Sequence, residues 1–171
     1  ELVSPEATPG PGQIRDSNSA LIGELAAAAH ADLVFQASSG DDPAQILADL
    51  QLALAERPDV LLVSGGASVG DHDHTGALLR ALGFTIHADK VASRPGKPLI
   101  TAARGPVLAF GLPGNPLSHF ACFHLAVARA LARLHGTAPA PVLRVPLAGG
   151  TPLKANPRET WWPATRVAEG Y

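Results

Sequence analysis

The residues best equipped for chemistry lie together at 64–75, read as SGGASVGDHDHT. They follow an apolar run, Val60-Leu61-Leu62-Val63. Gly65 and Gly66 break that run, and Gly70 allows a second turn before Asp71-His72-Asp73-His74-Thr75, the densest polar cluster in the chain. Glycine admits positive φ and lets another molecule approach the backbone closely. Backbone N–H groups in such a loop form a concavity for phosphate or a similar anion. Aspartates supply the oxygen ligands that a hard cation such as magnesium takes. Three functions compete for the segment. One is a plain surface loop. The second is a nucleophile elbow, because Gly66-Ala67-Ser68-Val69-Gly70 matches G-x-S-x-G. That motif needs its serine on a sharp turn straight from strand to helix, whereas here two glycines precede it and a charged run follows. The third is an anion-and-metal site. An extended D-H-D-H run sends its aspartates to one side and its histidines to the other. All four therefore cannot converge on one metal without a tight turn, and Asp73, then Asp71, are the preferred functional residues.

Two further segments could act on anions. Lys90, Arg94 and Lys97 place three positive charges within eight residues around Pro95-Gly96. That Pro-Gly pair suits the centre of a type II turn, and a guanidinium suits bidentate oxyanion binding. As a charge cluster alone the segment is ordinary solvated surface. The second is Gly111-Leu112-Pro113-Gly114-Asn115-Pro116, a turn that opens a helix whose first N–H groups face outward. Asp16 stands at a helix start, where a carboxylate is favoured by the dipole. His119 and His124 have no partner at metal-ligand spacing and read as packing or surface residues.

The elements that position these residues follow from pattern. The 60–63 run suits a strand covered on both faces, as in a parallel sheet. Residues 1–15 are rich in Pro and Gly and read as an extended connection. Ser17 or Asn18 offers an N-cap to a helix carried by Leu21, Ile22, Leu25, Ala28 and Ala29. Residues 32–36 read as a strand. Asp42 and Pro43 start a second helix with Ile46, Leu47, Leu50, Ala53 and Leu54 on its apolar face. A short helix over 75–82 stops at Gly83, a strand covers 84–88, and 99–102 with 107–112 form a hairpin around Arg104-Gly105-Pro106. A long apolar helix runs from Pro116 to about Leu134. After a linker at 137–141, residues 142–147 and 160–167 suggest two strands.

GQIRDSN, GGASVGDHDHT, RPGKP and GLPGNP, in this order, resemble the segments of the molybdopterin molybdenumtransferase family, to which the E domain of gephyrin is related. Related molybdopterin adenylyltransferases have GGTG where this chain has Gly65-Gly66-Ala67, which favours the molybdate-inserting branch. The resemblance implies a three-layer α/β/α fold with a mostly parallel sheet over 1–136, then a linker and the start of a small all-β domain over 137–171. It implies insertion of molybdate into adenylylated molybdopterin with release of AMP, with Mg2+ as the metal. Asp16, Asp73 and Lys97 take the catalytic roles. Gly65, Gly66, Ser68, Gly70, Lys90, Arg94, Pro113, Gly114, Asn115 and Pro116 hold the pterin nucleotide. Asp73, Asp16 and Glu1 hold the metal. It also implies a homodimer and an adenylyltransferase partner. Alternatives are an adenylyltransferase-like enzyme and a non-catalytic dimerisation or scaffold module of the same fold. Glu1-Leu2 matches the tail of a TGDEL motif, so the preceding strand is expected to be missing and the active site incomplete. At 154–161 the glycine and aromatic positions depart from the family's pattern, so Arg158 carries no assigned role.

Bulk properties agree with a small-ligand domain. The 171 residues suffice for one domain with a real core. A net charge of −2 argues against general nucleic-acid binding. The single cysteine, Cys122, permits no internal disulfide and reads as packing. No apolar run is long enough to span a membrane, and a reducing cytoplasm is the expected setting. With no methionine and Glu1 first, the chain is expected to be a fragment or a processed piece.

Overall fold

The computed structural model describes residues 2–40, 42–65, 74–141, 156–162 and 164–165. Its elements are β1 (Leu2–Val3), β2 (Ile14–Arg15), α1 (Ser17–Ala28), α2 (Pro43–Ala55), β3 (Val60–Ser64) and α3 (Thr75–Ala81). Then come β4 (Thr85–Ala88), β5 (Ser93–Arg94), β6 (Ile100–Arg104), β7 (Val107–Leu112), α4 (Pro116–Cys122), a π-helical turn (Phe123–Val127), α5 (Ala128–Leu134) and β8 (Glu159–Thr160).

The central sheet has four strands in the order β3-β7-β6-β4. β3 lies parallel to β7, while β6 pairs antiparallel with both β7 and β4. Two short parallel pairs, β1-β2 and β5-β8, lie outside it. Because successive strand residues point to opposite faces, β3 and β7 each feed two cores. Leu61 and Val63 of β3, with Ala109 of β7, pack with Leu50 and Ala53 of α2 and Leu79 of α3. Val60 and Leu62, with Phe110 and Leu112, pack with Leu25 of α1 and with Phe123, Val127 and Leu131 of the C-terminal helix. The result is three layers, with α1 and α4–α5 on one side and α2 and α3 on the other. The apolar 60–63 run is therefore covered on both faces, as its composition predicts.

Local signals act as their chemistry requires. Asp42 caps α2 by accepting from the Ala44 N–H at 3.0 Å, with Pro43 in the first turn. Gly83, at φ +82°, ends the turn after α3. Other expectations need correction. Residues 31–40 form no strand, and Leu33 and Val34 there are more than half exposed. A cleft of about 1040 Å3 separates this segment from β3. A short apolar run makes no strand without a ladder partner. The cap of α1 is Asp16, one residue before the expected pair. Residues 2–15 include β1 and β2 and are more than a bare connection. The strand expected at 142–147 falls outside the described residues. Of the one expected at 160–167, Thr160 is in a two-residue strand and Trp161, Trp162, Ala164 and Thr165 are not in one.

The topology gathers loops at one rim. Parallel pairing sets Ser64 opposite Leu112, so β3 and β7 both end there. Antiparallel pairing sets Ile100 opposite Gly111, so the segment leading into β6 starts at the same rim. Gly111 is needed at that crossing. A Cβ on it would lie 3.0 Å from both Ile100 Cβ and Thr75 Cγ2. Gly111→Ala should cost about 1–3 kcal/mol of stability through overpacking. Urea denaturation measures it, and an unchanged midpoint would mean that Ile100 and Thr75 give way.

Candidate functional site

The rim is built from four segments held together by short-range contacts. At the end of β3, the Gly65 N–H donates to the Leu112 carbonyl at 3.1 Å, one step beyond the strand ladder. Gly65 adopts φ +83°, and its carbonyl accepts from Thr75 Oγ1 at 3.2 Å. Gly114 faces it closely, since a Cβ on Gly114 would lie 3.7 Å from Gly65 Cα. From α1, Asn18 Nδ2 donates to the Gly114 carbonyl at 2.8 Å. Asn115 caps α4 by accepting from the Ser118 N–H at 3.1 Å, with Pro116 in the first turn.

The cationic segment joins through the next turn of α4. Gly96 has φ +99°, and a Cβ there would lie 2.5 Å from Cys122 Sγ and 4.0 Å from the Ser118 carbonyl oxygen. The Val91 N–H donates to the Lys97 carbonyl at 2.8 Å, closing the loop at its base. The hydrogen-bonded turn is Gly96–Leu99, closed at 3.1 Å, and not the expected one centred on Pro95-Gly96. Lys90, Arg94 and Lys97 are all exposed, with their charges in solvent. Arg94 is also held from outside, because its carbonyl accepts from the Trp161 N–H at 2.8 Å beside β8.

Asp16 lies at the same rim as the cap of α1. One carboxylate oxygen accepts from the Ser19 N–H at 3.0 Å, and the other accepts from Ser19 Oγ in a short bond. Asp16, Asn18, Ser64, Gly65, Thr75 and Gly114 line one end of the cleft beside β3. Of the candidate residues, the structure thus brings Asp16, Gly65, Pro113, Gly114, Asn115 and Pro116 together, with Lys90, Arg94 and Lys97 on the adjoining loop. Glu1, Gly66, Ser68, Gly70, Asp71, His72 and Asp73 lie outside the described residues.

Comparison with known proteins fixes the family. Residues 1–133 match the family described as a probable molybdopterin binding domain. The molybdenum cofactor synthesis protein cinnamon of Drosophila melanogaster is 39% identical over 125 residues, covering 73% of this chain and 21% of that protein. A molybdopterin molybdenumtransferase of Nostoc sp. is 36% identical over 142 residues, covering 81% and 32%. Among solved structures, the molybdopterin biosynthesis moeA protein of Pyrococcus horikosii superposes with a TM-score of 0.69 at 31% identity, over 80% of this chain and 33% of that one. The chain belongs to the molybdopterin-binding domain family. It spans 21% and 32% of the lengths of the two curated relatives.

Within this molybdopterin-binding domain, one residue read from the sequence as packing or surface has polar atoms that packing does not use. His119 is fully buried at the rim. Its Nδ1 lies 3.4 Å from Ser64 Oγ, and its Nε2 has no partner among the described residues. Asn18 Oδ1 is the other buried side-chain atom left without one. An unmet buried polar group costs about 1–3 kcal/mol, so the two orphans mark the rim as a place where packing alone does not choose the residues. Helical spacing from the Asn115 cap could have placed His119 one turn inside the site. Metal-ligand spacing, the criterion applied to it, could not.

Burial pushes the His119 pKa below its usual 6.5, opposed by the facing Pro113 carbonyl and the Asp16 carboxylate. The unfolded chain then takes up the proton more readily than the folded one. The stability contribution is complete above pH 6.5 and is lost as pH falls through the lower folded value. Wild type should therefore lose stability relative to His119→Gln as pH drops from about 7 to 5, measured by denaturant titration at each pH. A pH-independent difference would contradict the shift.

Desolvation also raises the Cys122 thiol to about 11, consistent with a packing role. Gly96→Ala should destabilise strongly, through its positive φ and through collision with Cys122. The added change Cys122→Ala should recover only part of the thermal melting temperature, and full recovery would mean that φ carries no strain.

Proposed function

We propose that this chain is the part of a molybdenum-inserting enzyme that holds adenylylated molybdopterin while molybdate is inserted and AMP is released. The observation that carries this reading is the convergence of three turns, at 64–65, 94–97 and 113–116, with Asp16 at one rim of a domain of this family. The 113–116 turn and the glycine loop present N–H groups to the phosphates. Lys90, Arg94 and Lys97 neutralise the pyrophosphate and the incoming molybdate dianion, with Arg94 suited to two oxyanion oxygens at once. Domain 1–136 supplies this binding surface, and 137–171 is a linker leading into a further β unit. Exposed Leu117 and Phe120, three residues apart on α4, offer apolar surface for a homodimer. An adenylyltransferase would hand over the substrate.

Magnesium needs several oxygen ligands. Among the described residues no cluster of three acidic, histidine or cysteine side chains is present, and Asp16 is already engaged by Ser19. These residues alone do not make a magnesium site, and no chemical step is drawn through the ion. Asp73 is the carboxylate proposed to complete the site with Asp16, with Glu1 as a third contributor.

Calorimetric titration with adenylylated molybdopterin, with and without magnesium, tests the reading. Lys97→Ala should weaken binding roughly 10-fold or more, the loss of a charge-assisted hydrogen bond. Asp73→Ala should remove whatever gain magnesium gives. Equal magnesium dependence in wild type and Asp73→Ala would sink the metal role, and no binding by wild type would sink the whole reading.

A further inference from the structure

His119 has no exposed surface, so it cannot touch a ligand directly. It does touch what would. Nδ1 faces Ser64 Oγ at 3.4 Å, and Ser64 is the last residue of β3, directly before the glycine loop. The Pro113 carbonyl also faces the ring, so one imidazole lies between two of the segments that make the rim. Among the described residues the loop base is also tied by the pairing of Ser64 with Leu112 and by Gly65, to Leu112 at 3.1 Å and to Thr75 at 3.2 Å. A leucine at 119 would fill comparable space without burying the unmet Nε2. Packing therefore does not account for a histidine.

We propose that His119 is a positioning residue, which holds Ser64 and the turn at Pro113 in the geometry that receives the phosphates of the ligand. This rests on the function proposed above for the same rim. The imidazole acts through Ser64 from beneath the loop and takes no part in bond making. Its hydrogen-bonding capacity is what matters, so glutamine should replace it and leucine should not.

Two measurements on the 171-residue chain decide this. One is calorimetric affinity for adenylylated molybdopterin, and the other is hydrogen exchange at the Gly65 amide. His119→Leu should weaken affinity roughly 10-fold and speed Gly65 exchange by a similar factor, the equivalent of one hydrogen bond. His119→Gln should stay within about 3-fold of wild type on both, since a neutral amide keeps one such bond. If His119→Leu matches wild type on both, or His119→Gln does no better than His119→Leu, the inference is overturned and the residue is packing. If wild type does not bind the nucleotide, the proposed function fails, and Gly65 exchange in the same variants still decides the role of His119. If His119→Leu does not fold, Ser64→Ala takes its place. Faster Gly65 exchange in Ser64→Ala supports the brace, and unchanged exchange overturns it.

Discussion

The parallel pairing of β3 with β7 is the constraint on which the rest of the molecule depends. It sets the ends of two strands side by side and so places Gly65 against Gly114. Polarity does not choose its register, because both strands are apolar on both faces. Size does. Val107, Ala109 and Gly111 turn their small side chains, or none, toward α2 and α3, while Leu108, Phe110 and Leu112 fill the space toward α4. A one-residue slip exchanges these faces. Phe110 would then stand where fully buried Ala109 now packs. Each ladder bond contributes only about 0.5–1.5 kcal/mol net. The match of volumes across two cores is what makes the register unique.

Near the rim the apolar logic gives way. Asn18, His119 and Thr75 are polar groups at or below the surface of the rim. Two of them carry an atom with no partner among the described residues. Folded chains break their own packing rules at places where something other than stability is being selected. Here the breaks lie beside the turns at Gly65 and Gly114, and the cations of the adjoining loop, Lys90, Arg94 and Lys97, are exposed.

Much of this was legible from the residues. A both-faces-apolar run, a capped helix at Asp42-Pro43, a Gly83 stop and a hairpin around Gly105 are local signals, and local chemistry realised them. Residues 32–36 misled because strand formation depends on a neighbour that periodicity does not reveal. Asp16 misled in the other direction. Three consecutive polar residues could each cap α1, and the choice fell to the one that reaches the Ser19 N–H. The depth of His119 and its approach to Ser64, 55 residues away in sequence, were not legible. Spacing within one helix carries no information about that.

The π-helical turn at Phe123–Val127 has a consequence for how the C-terminal helix faces the sheet. Phe123, Val127 and Leu131 recur every four residues, and all three are buried. A pure α-helix turns about 100° per residue, so such a repeat would drift around its surface. The wider turn absorbs part of that drift. Removing one residue from 123–127 would restore ordinary winding and rotate everything before it by about 100°. Cys122 would swing away from Gly96, and the imidazole at 119 away from the end of β3. A single loop of helix, two turns distant from Asn115 at the rim, thus sets the angular origin of the rim's buried side.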